Sequence, residues 1–299
     1  MARLAFAVKS LQRLLRSQPR SCPYCGSANT TFLQRKKLLL ELRRCEDCCL
    51  MFRYPKDDPD TSFRFYQEAY EQGVTTDLPK DTTLSRLIQT RFAGSEVDLA
   101  SNIAIVKRYK QSGRLLDYGC SWGYGVYQFT NSGFEAVGFE ISKPRAALAR
   151  HALKVDVIDS LEGLDRLADA SFDIIHCSHV LEHIPQLRPT FAAFRRLLKP
   201  SGLLVVFVPN AGGRLAHAMG VDWGPMISEK HCFAFDAQFF ARNLPAFGFA
   251  PMFGSSPHDS APVSYVSKEQ AAEQLPGEEL LVVAQPATSP GNRQGDDRG

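Results

Sequence analysis

The sequence predicts an α/β domain with a parallel sheet covered by helices on both faces, preceded by a small metal-stapled module. Three observations predict it. From residue 114 onward, short apolar runs alternate with amphipathic segments, the pattern of strands joined by helical crossovers. A glycine turn, Gly119-x-x-x-Gly123-x-Gly125, follows directly on the first of those runs. Ahead of them, Cys22-x-x-Cys25 and Cys45-x-x-Cys48 stand nineteen residues apart, the spacing expected of a tetrahedral four-cysteine zinc ribbon.

Bulk composition sets the frame. A chain of 299 residues that is 44% hydrophobic is long enough for one good-sized core and an accessory module. The net charge of +3, from 35 basic and 32 acidic residues, is too balanced for wholesale wrapping of nucleic acid. No run approaches the roughly 20 apolar residues of a membrane span, and residues 1–20 lack a secretory cleavage pattern, so a cytoplasmic protein is expected. Of eight cysteines, Cys49, Cys120, Cys177 and Cys232 are scattered, which favours reduced thiols and a metal over a disulfide framework.

In chain order, residues 1–20 place Leu4, Val8, Leu11 and Leu15 on one helical face with Arg3, Lys9, Arg13 and Arg16 mostly elsewhere. This reads as a docked helix, a frayed terminus, a transit peptide, or peripheral contact with an anionic membrane through residues 1–18. Residues 21–55 form the zinc ribbon, where the metal supplies stability that so small a core lacks. YPKDDPD then breaks the pattern, and residues 56–110 form a linker and helical segment carrying Tyr66 and Tyr70. Residues 111–285 form the main domain, with strands at RLLDY, EAVGFE, KVDVI, FDIIHC and GLLVVFV and a late helix and closing strands in AQFFARNLPAFGF and ELLVVAQ. Ser142 with Pro144 starts one helix, and PTFAAFRRLL forms another that stops before Pro200 and Gly202. The polar tail 286–299 reads as disordered.

The glycine turn indicates a ligand chemistry. Asp117 precedes Gly119 by two, and the order G-x-x-x-G-x-G differs from the G-x-G-x-x-G of dinucleotide folds. A carboxylate there suits a cationic ligand better than a dianionic pyrophosphate, which argues against a nicotinamide dehydrogenase. About twenty residues on, Glu140 ends the second strand, a place from which a carboxylate accepts from both hydroxyls of a ribose.

At these residues the chain resembles the class I S-adenosylmethionine-dependent methyltransferases, which have a Rossmann-like sheet. The resemblance spans roughly residues 112–253. It is carried by the acid-and-glycine turn, by FDIIHCSHVLEHI, which matches the segment of a group that methylates small molecules, and by LLKPSGLLVVFVPN. It implies that Gly119 and Gly123 pass close to the methionine part of S-adenosylmethionine, that Asp117 orients it and that Glu140 holds its ribose. It further implies that Asp159, Ser160 and Leu161 lie at the adenine, and, since open parallel sheets bind ligands beyond the carboxyl ends of their strands, Cys177, Ser178, His179, Glu182 and His183 are expected to border the pocket.

Methyl transfer to a hydroxyl or acidic carbon needs a base near neutrality, which histidine supplies. His183 is a candidate for it, or shapes the pocket through backbone hydrogen bonds; His176 reads as a core histidine. Further on, EKHCFAF is similar to the E-H-x-x-(Y/F) stretch of zinc-containing sugar C-methyltransferases, which makes His231 either the base or part of the lining. Lys230 replaces the acid of that pattern, and Glu229 stands one residue earlier. The four-cysteine module is similar to those heading methyltransferases of sugar and polysaccharide pathways, where Tyr66 and Tyr70 line the substrate side or pack in the core.

The expected function is transfer of a methyl group to the oxygen or carbon of a small molecule, a sugar or nucleotide-sugar among the candidates. Two alternatives stand beside it. One is a zinc-ribbon RNA methyltransferase using Arg35, Lys36, Lys37, Arg43, Arg44 and Arg53 to track phosphates. The other is a non-catalytic protein using the fold for protein contacts.

Overall fold

Alternating residues in the predicted strands point to opposite faces, and both faces are covered. The computed structural model describes residues 10, 18–56, 77–228 and 230–287. The membrane-contact segment apart from residues 10 and 18, together with Tyr66, Tyr70, Glu229 and all but the start of the tail, therefore lies outside the described residues.

The N-terminal region forms strands β1 (Thr30–Lys36), β2 (Leu40–Cys45) and β3 (Met51–Tyr54), paired antiparallel. Helices α1 (Asp81–Gln89) and α2 (Ala100–Tyr109) follow. The main domain then alternates β4 (Gly113–Tyr118), α3 (Tyr124–Asn131), β5 (Phe134–Phe139), α4 (Lys143–Leu148), β6 (Val157–Ile158), α5 (Leu161–Asp165), β7 (Phe172–Ser178), α6 (Leu187–Leu197) and β8 (Leu198–Pro209). It closes with α7 (Arg214–Met219), β9 (Phe233–Ala234), α8 (Ala237–Asn243), β10 (Phe249–Ser255), α9 (Lys268–Gln274) and β11 (Glu279–Pro286).

The seven-stranded sheet has the order β10-β11-β8-β7-β4-β5-β6. Strands β8, β7, β4, β5 and β6 are parallel, and β11 runs antiparallel between β8 and β10. Along β8, Leu204, Val206 and Val208 enter a core with Phe191 and Phe194 of α6 and Phe239 and Phe240 of α8. Leu203, Val205 and Phe207 face the other way, into a core with Ile105 and Val106 of α2 and Phe129 of α3. This period of two, apolar on both faces, is what a central strand sandwiched by helices requires.

Two local departures have physical reasons. The run KVDVI contributes just Val157 and Ile158 to the sheet, because the chain is still leaving a helical turn: Ala149–Leu153 is π-helical and Lys154 sits at φ 56°. The four-stranded sheet, in the order β1-β2-β3-β9, takes its last strand from beyond the main crossovers, with Met51 opposite Ala234 and Phe52 opposite Phe233. The ribbon's Leu50 and Phe52 accordingly share one core with Phe191, Phe235 and Phe239.

Candidate cofactor and acceptor site

The carboxyl ends of β4, β5 and β7 lie side by side at the edge where open α/β sheets receive ligands. Gly119 follows β4 at φ 82°, and its amide donates to the Phe139 carbonyl at 2.7 Å. A Cβ there would overlap the Val180 side chain, so both the left-handed backbone and the space demand glycine. Gly123, at φ 83°, is the N-cap of α3 and packs on Ala149. Gly125 admits close approach of α3 to the sheet: a Cβ would collide with Asp117 Oδ2.

Asp117 is buried, and its Oδ1 lies 2.7 Å from His176 Nδ1; His176 Nε2 lies 3.1 Å from Asn102 Nδ2. His176 is thus the core histidine expected, and it fixes the Asp117 carboxylate. Glu140 follows β5 and is also buried. Its Oε2 accepts from the Ser121 amide at 3.0 Å and its Oε1 from the Ser142 amide at 2.7 Å. Burial pushes its pKa above the ordinary carboxylate value, against the pull of the Ser142 amide and the nearby Arg145 guanidinium. Each oxygen keeps a further lone pair, so the carboxylate has capacity for two hydroxyl donors.

Of the adenine-side candidates, Asp159 pairs with Arg150 at 3.0 Å, and Leu161 is 44% exposed. Ser160 Oγ caps α5 by accepting from the Gly163 amide at 3.0 Å, which is a structural use of that hydroxyl. Ser178, half-buried, ends β7.

The LEH segment forms a 3₁₀ turn, Leu181–His183. Glu182 is 1% exposed. His179 is half-exposed at φ 53°, with Nε2 2.6 Å from Glu279 Oε2 and Nδ1 3.5 Å from Glu182 Oε1. Desolvation opposes its charging, but these two carboxylates more than offset it and push its pKa up to about 10. Glu279 also faces His258 at 2.8 Å; burial disfavours its charge, yet the two imidazoles hold it down to about 2.

His183 and His231 meet edge to face, with ring centroids 4.7 Å apart. The contact is set by the backbone, since the Cys232 amide donates to the Glu182 carbonyl at 3.0 Å. Burial, and then His183 beside it, lower the pKa of His231, which favours the neutral ring at pH 7. Neutral imidazole is the form that takes a proton.

At the ribbon, Cys22 and Cys48 Sγ are 3.4 Å apart and Cys25 and Cys45 Sγ 3.5 Å. Sulfur atoms of all four lie within 4.8 Å of one another. Zn–S bonds of about 2.3 Å place tetrahedral sulfurs roughly 3.8 Å apart, so the donor set fits zinc. Cys49 points elsewhere, toward Arg44 and Asp236.

Sequence reasoning missed Arg145, which is fully buried and donates to Ser121 Oγ at 2.6 Å, and the Glu279–His258 pair. Glu279 opens a strand antiparallel to β8, opposite Pro209, so it reaches the carboxyl edge from its own amino end. An antiparallel assignment for ELLVVAQ was the signal that would have found it.

Residues 89–252 match the model of the methyltransferase domain family. Among curated proteins, the ubiquinone biosynthesis O-methyltransferase of Alkalilimnicola ehrlichii is 34% identical over 103 residues, covering 32% of this chain and 42% of that protein. Its counterpart in Nitrosococcus oceani is 37% identical over 95 residues, covering 30% and 40%. The chain therefore spans about two fifths of the length of these relatives. Among solved structures, a SAM-dependent methyltransferase from Archaeoglobus fulgidus aligns with TM-score 0.49 at 20% identity, over 67% of this chain and 98% of that one. With more than half of its residues matched by the methyltransferase domain, and with an acid-and-glycine turn beside Glu140 at adjoining strand ends, the chain belongs to the class I S-adenosylmethionine-dependent methyltransferase family.

Proposed function

We propose that the protein is an S-adenosylmethionine-dependent methyltransferase acting on a hydroxyl or carbon acid of a small, sugar-type molecule. The observation that carries the proposal is the adjacency, at one sheet edge, of the buried Glu140 and glycine turn to a turn whose His183 meets His231. S-adenosylmethionine supplies an electrophilic methyl on a sulfonium. Glu140 accepts from the ribose hydroxyls, Asp117 orients the methionine end across Gly119 and Gly123, and Ser178 with residues 159–161 borders the rest. His231 takes the acceptor's proton, with His183, His179 and Glu182 around it.

The sugar class rests on the likeness of the ribbon and of the EKHCFAF stretch to zinc-containing sugar methyltransferases, since the cavity of about 540 Å³ between the ribbon and the segment after β8 is lined mainly by apolar residues such as Leu42, Met51 and Met226 and by none of the residues named above. The relatives' naming as O-methyltransferases supports oxygen as the receiving atom. The four ribbon cysteines hold a structural zinc. Peripheral membrane contact through residues 1–18 and a cytoplasmic location remain proposals. Among the described residues, no helix is long and apolar enough to cross a membrane.

The RNA reading loses support from the ribbon's own contacts. Arg43 pairs with Glu41 at 2.9 Å, Arg44 with Asp236 at 3.0 Å and Arg35 with Glu41 at 3.3 Å. Lys36 donates to the Ile227 carbonyl at 2.7 Å, and Arg53 is buried against the Ser228 carbonyl. Cations used this way are turned toward the protein rather than offered to phosphates.

Two measurements test the proposal. Calorimetry should show binding of S-adenosylmethionine and of its demethylated product; absence of both ends the assignment. Methyl transfer from labelled cofactor should then be found with a panel of sugars, nucleotide-sugars and phenols, and transfer confined to phenols would exclude the sugar class.

A further inference from the structure

The LEH turn and the segment after β8 bring together three groups whose hydrogen bonds prepare them for a ligand of their own. His183 Nδ1 lies 2.9 Å from the Lys230 carbonyl oxygen, and His231 Nδ1 lies 2.7 Å from that of Pro225. A carbonyl accepts and cannot donate, so each neutral ring carries its proton on Nδ1 and presents a bare lone pair on Nε2. Glu182, 1% exposed, has no hydrogen-bond partner for either carboxylate oxygen among the described residues, and its ion pair with His179 Nδ1 is 3.5 Å long. One donor atom from each of Glu182, His183 and His231 lies within 4.8 Å of the others.

A buried carboxylate needs cationic compensation, and the His179 imidazolium supplies it to Oε1 alone, at 3.5 Å and shared with Glu279, which leaves Oε2 for a second cation. Two imidazoles oriented by Nδ1–H bonds to backbone carbonyls are held in the way that metal-binding histidines are held. Bonds of about 2.1 Å would set the donor atoms roughly 3.3 to 4.2 Å apart, so closure on an ion needs a movement of under about 1 Å. Two nitrogens and one oxygen suit a borderline divalent ion such as Zn²⁺, Co²⁺ or Fe²⁺ better than Mg²⁺. Three protein ligands leave coordination positions open, as in catalytic rather than structural centres.

We propose that Glu182, His183 and His231 form an open site for a divalent transition-metal ion, separate from the four-cysteine ribbon, and that the ion engages the acceptor's hydroxyl. The second half rests on the methyltransferase reading above; the first does not. With the ion bound, His231 is a ligand and the ion does the work otherwise assigned to a free imidazole. The acceptor hydroxyl on the ion loses its proton to solvent at a lowered pKa, and its oxygen forms the bond to the methyl carbon. The carbon–sulfur electron pair stays on sulfur, which leaves a neutral thioether.

The test is a Co²⁺ titration of the full-length, zinc-loaded protein, read by visible absorption and by metal content per chain. The wild type should bind a second equivalent whose spectrum lacks thiolate character. Glu182→Gln and His231→Ala should each weaken that equivalent at least about 10-fold while the ribbon's equivalent is retained. Cys48→Ser should disturb the first and keep the second. A stoichiometry that stops at one per chain, or an unchanged second equivalent in both variants, overturns the site. Cofactor binding by calorimetry is the separate readout: its absence would defeat the methyltransferase reading while the metal count still decides the site.

Discussion

At the scale of single residues, Glu140 carries the most weight. Glu140→Gln keeps the size of the side chain and an oxygen to accept from backbone, but removes the charge and one acceptor, and should weaken S-adenosylmethionine binding by about 10- to 100-fold, read by calorimetry, with the far-UV spectrum unchanged. The same reasoning gives a pH dependence. The ribose hydroxyls donate to the ionised carboxylate, and burial raises its pKa, so affinity should fall on acidification, starting at a higher pH than an ordinary glutamate would set. A flat affinity profile between about pH 7 and pH 4 would remove Glu140 from that role. His231→Ala should lower turnover by at least about 100-fold with cofactor affinity retained, because both the free imidazole and the ion site that it would complete are lost. Gly119→Ala drives a methyl group into Val180 at φ 82° and should cost about 1–3 kcal/mol by chemical denaturation, along with cofactor binding.

At the scale of elements, the ribbon depends on its cysteines and the sheet ends on their turns. Cys48→Ser should release one zinc per chain and lower the melting temperature, whereas Cys49→Ser, at a thiol turned toward Arg44, should leave the metal content unchanged. The two cysteines are adjacent in sequence, and the one that the C-x-x-C spacing names is the one that clusters, because the turn after Cys45 brings Cys48 to Cys22 at 3.4 Å. Strand β6 shows the opposite case. Its apolar run was visible, but a π-helical turn and the left-handed Lys154 delay the strand, and neither follows from hydrophobic periodicity.

At the scale of the whole molecule, the two sheets share one hydrophobic core and one strand pairing. Strand β9 lies within two residues of His231 and closes the ribbon sheet, while Phe52 of the ribbon shares a core with Phe191 and Phe239. Phe52→Ala should therefore cost about 3–5 kcal/mol and lower the stability of the methyltransferase domain itself. Zinc release and tryptophan fluorescence should report one melting transition. Two well-separated transitions would show that ribbon and domain unfold independently.

By itself the sequence determined the class of fold, the four clustered cysteines and the two carboxylates at strand ends, because each rests on local spacing: alternation within a strand, two residues between paired thiols, one residue between Asp117 and Gly119. The tertiary structure decided what no local spacing encodes. It seats Arg145 against Ser121, 24 residues earlier, brings Glu279 to His179 from a strand 100 residues away, and carries His231 onto His183 through a backbone bond from Cys232 to Glu182. Such contacts join distant segments through an antiparallel insertion and a strand lent from one sheet to the other, and long-range pairing of that kind is set by packing rather than by periodicity.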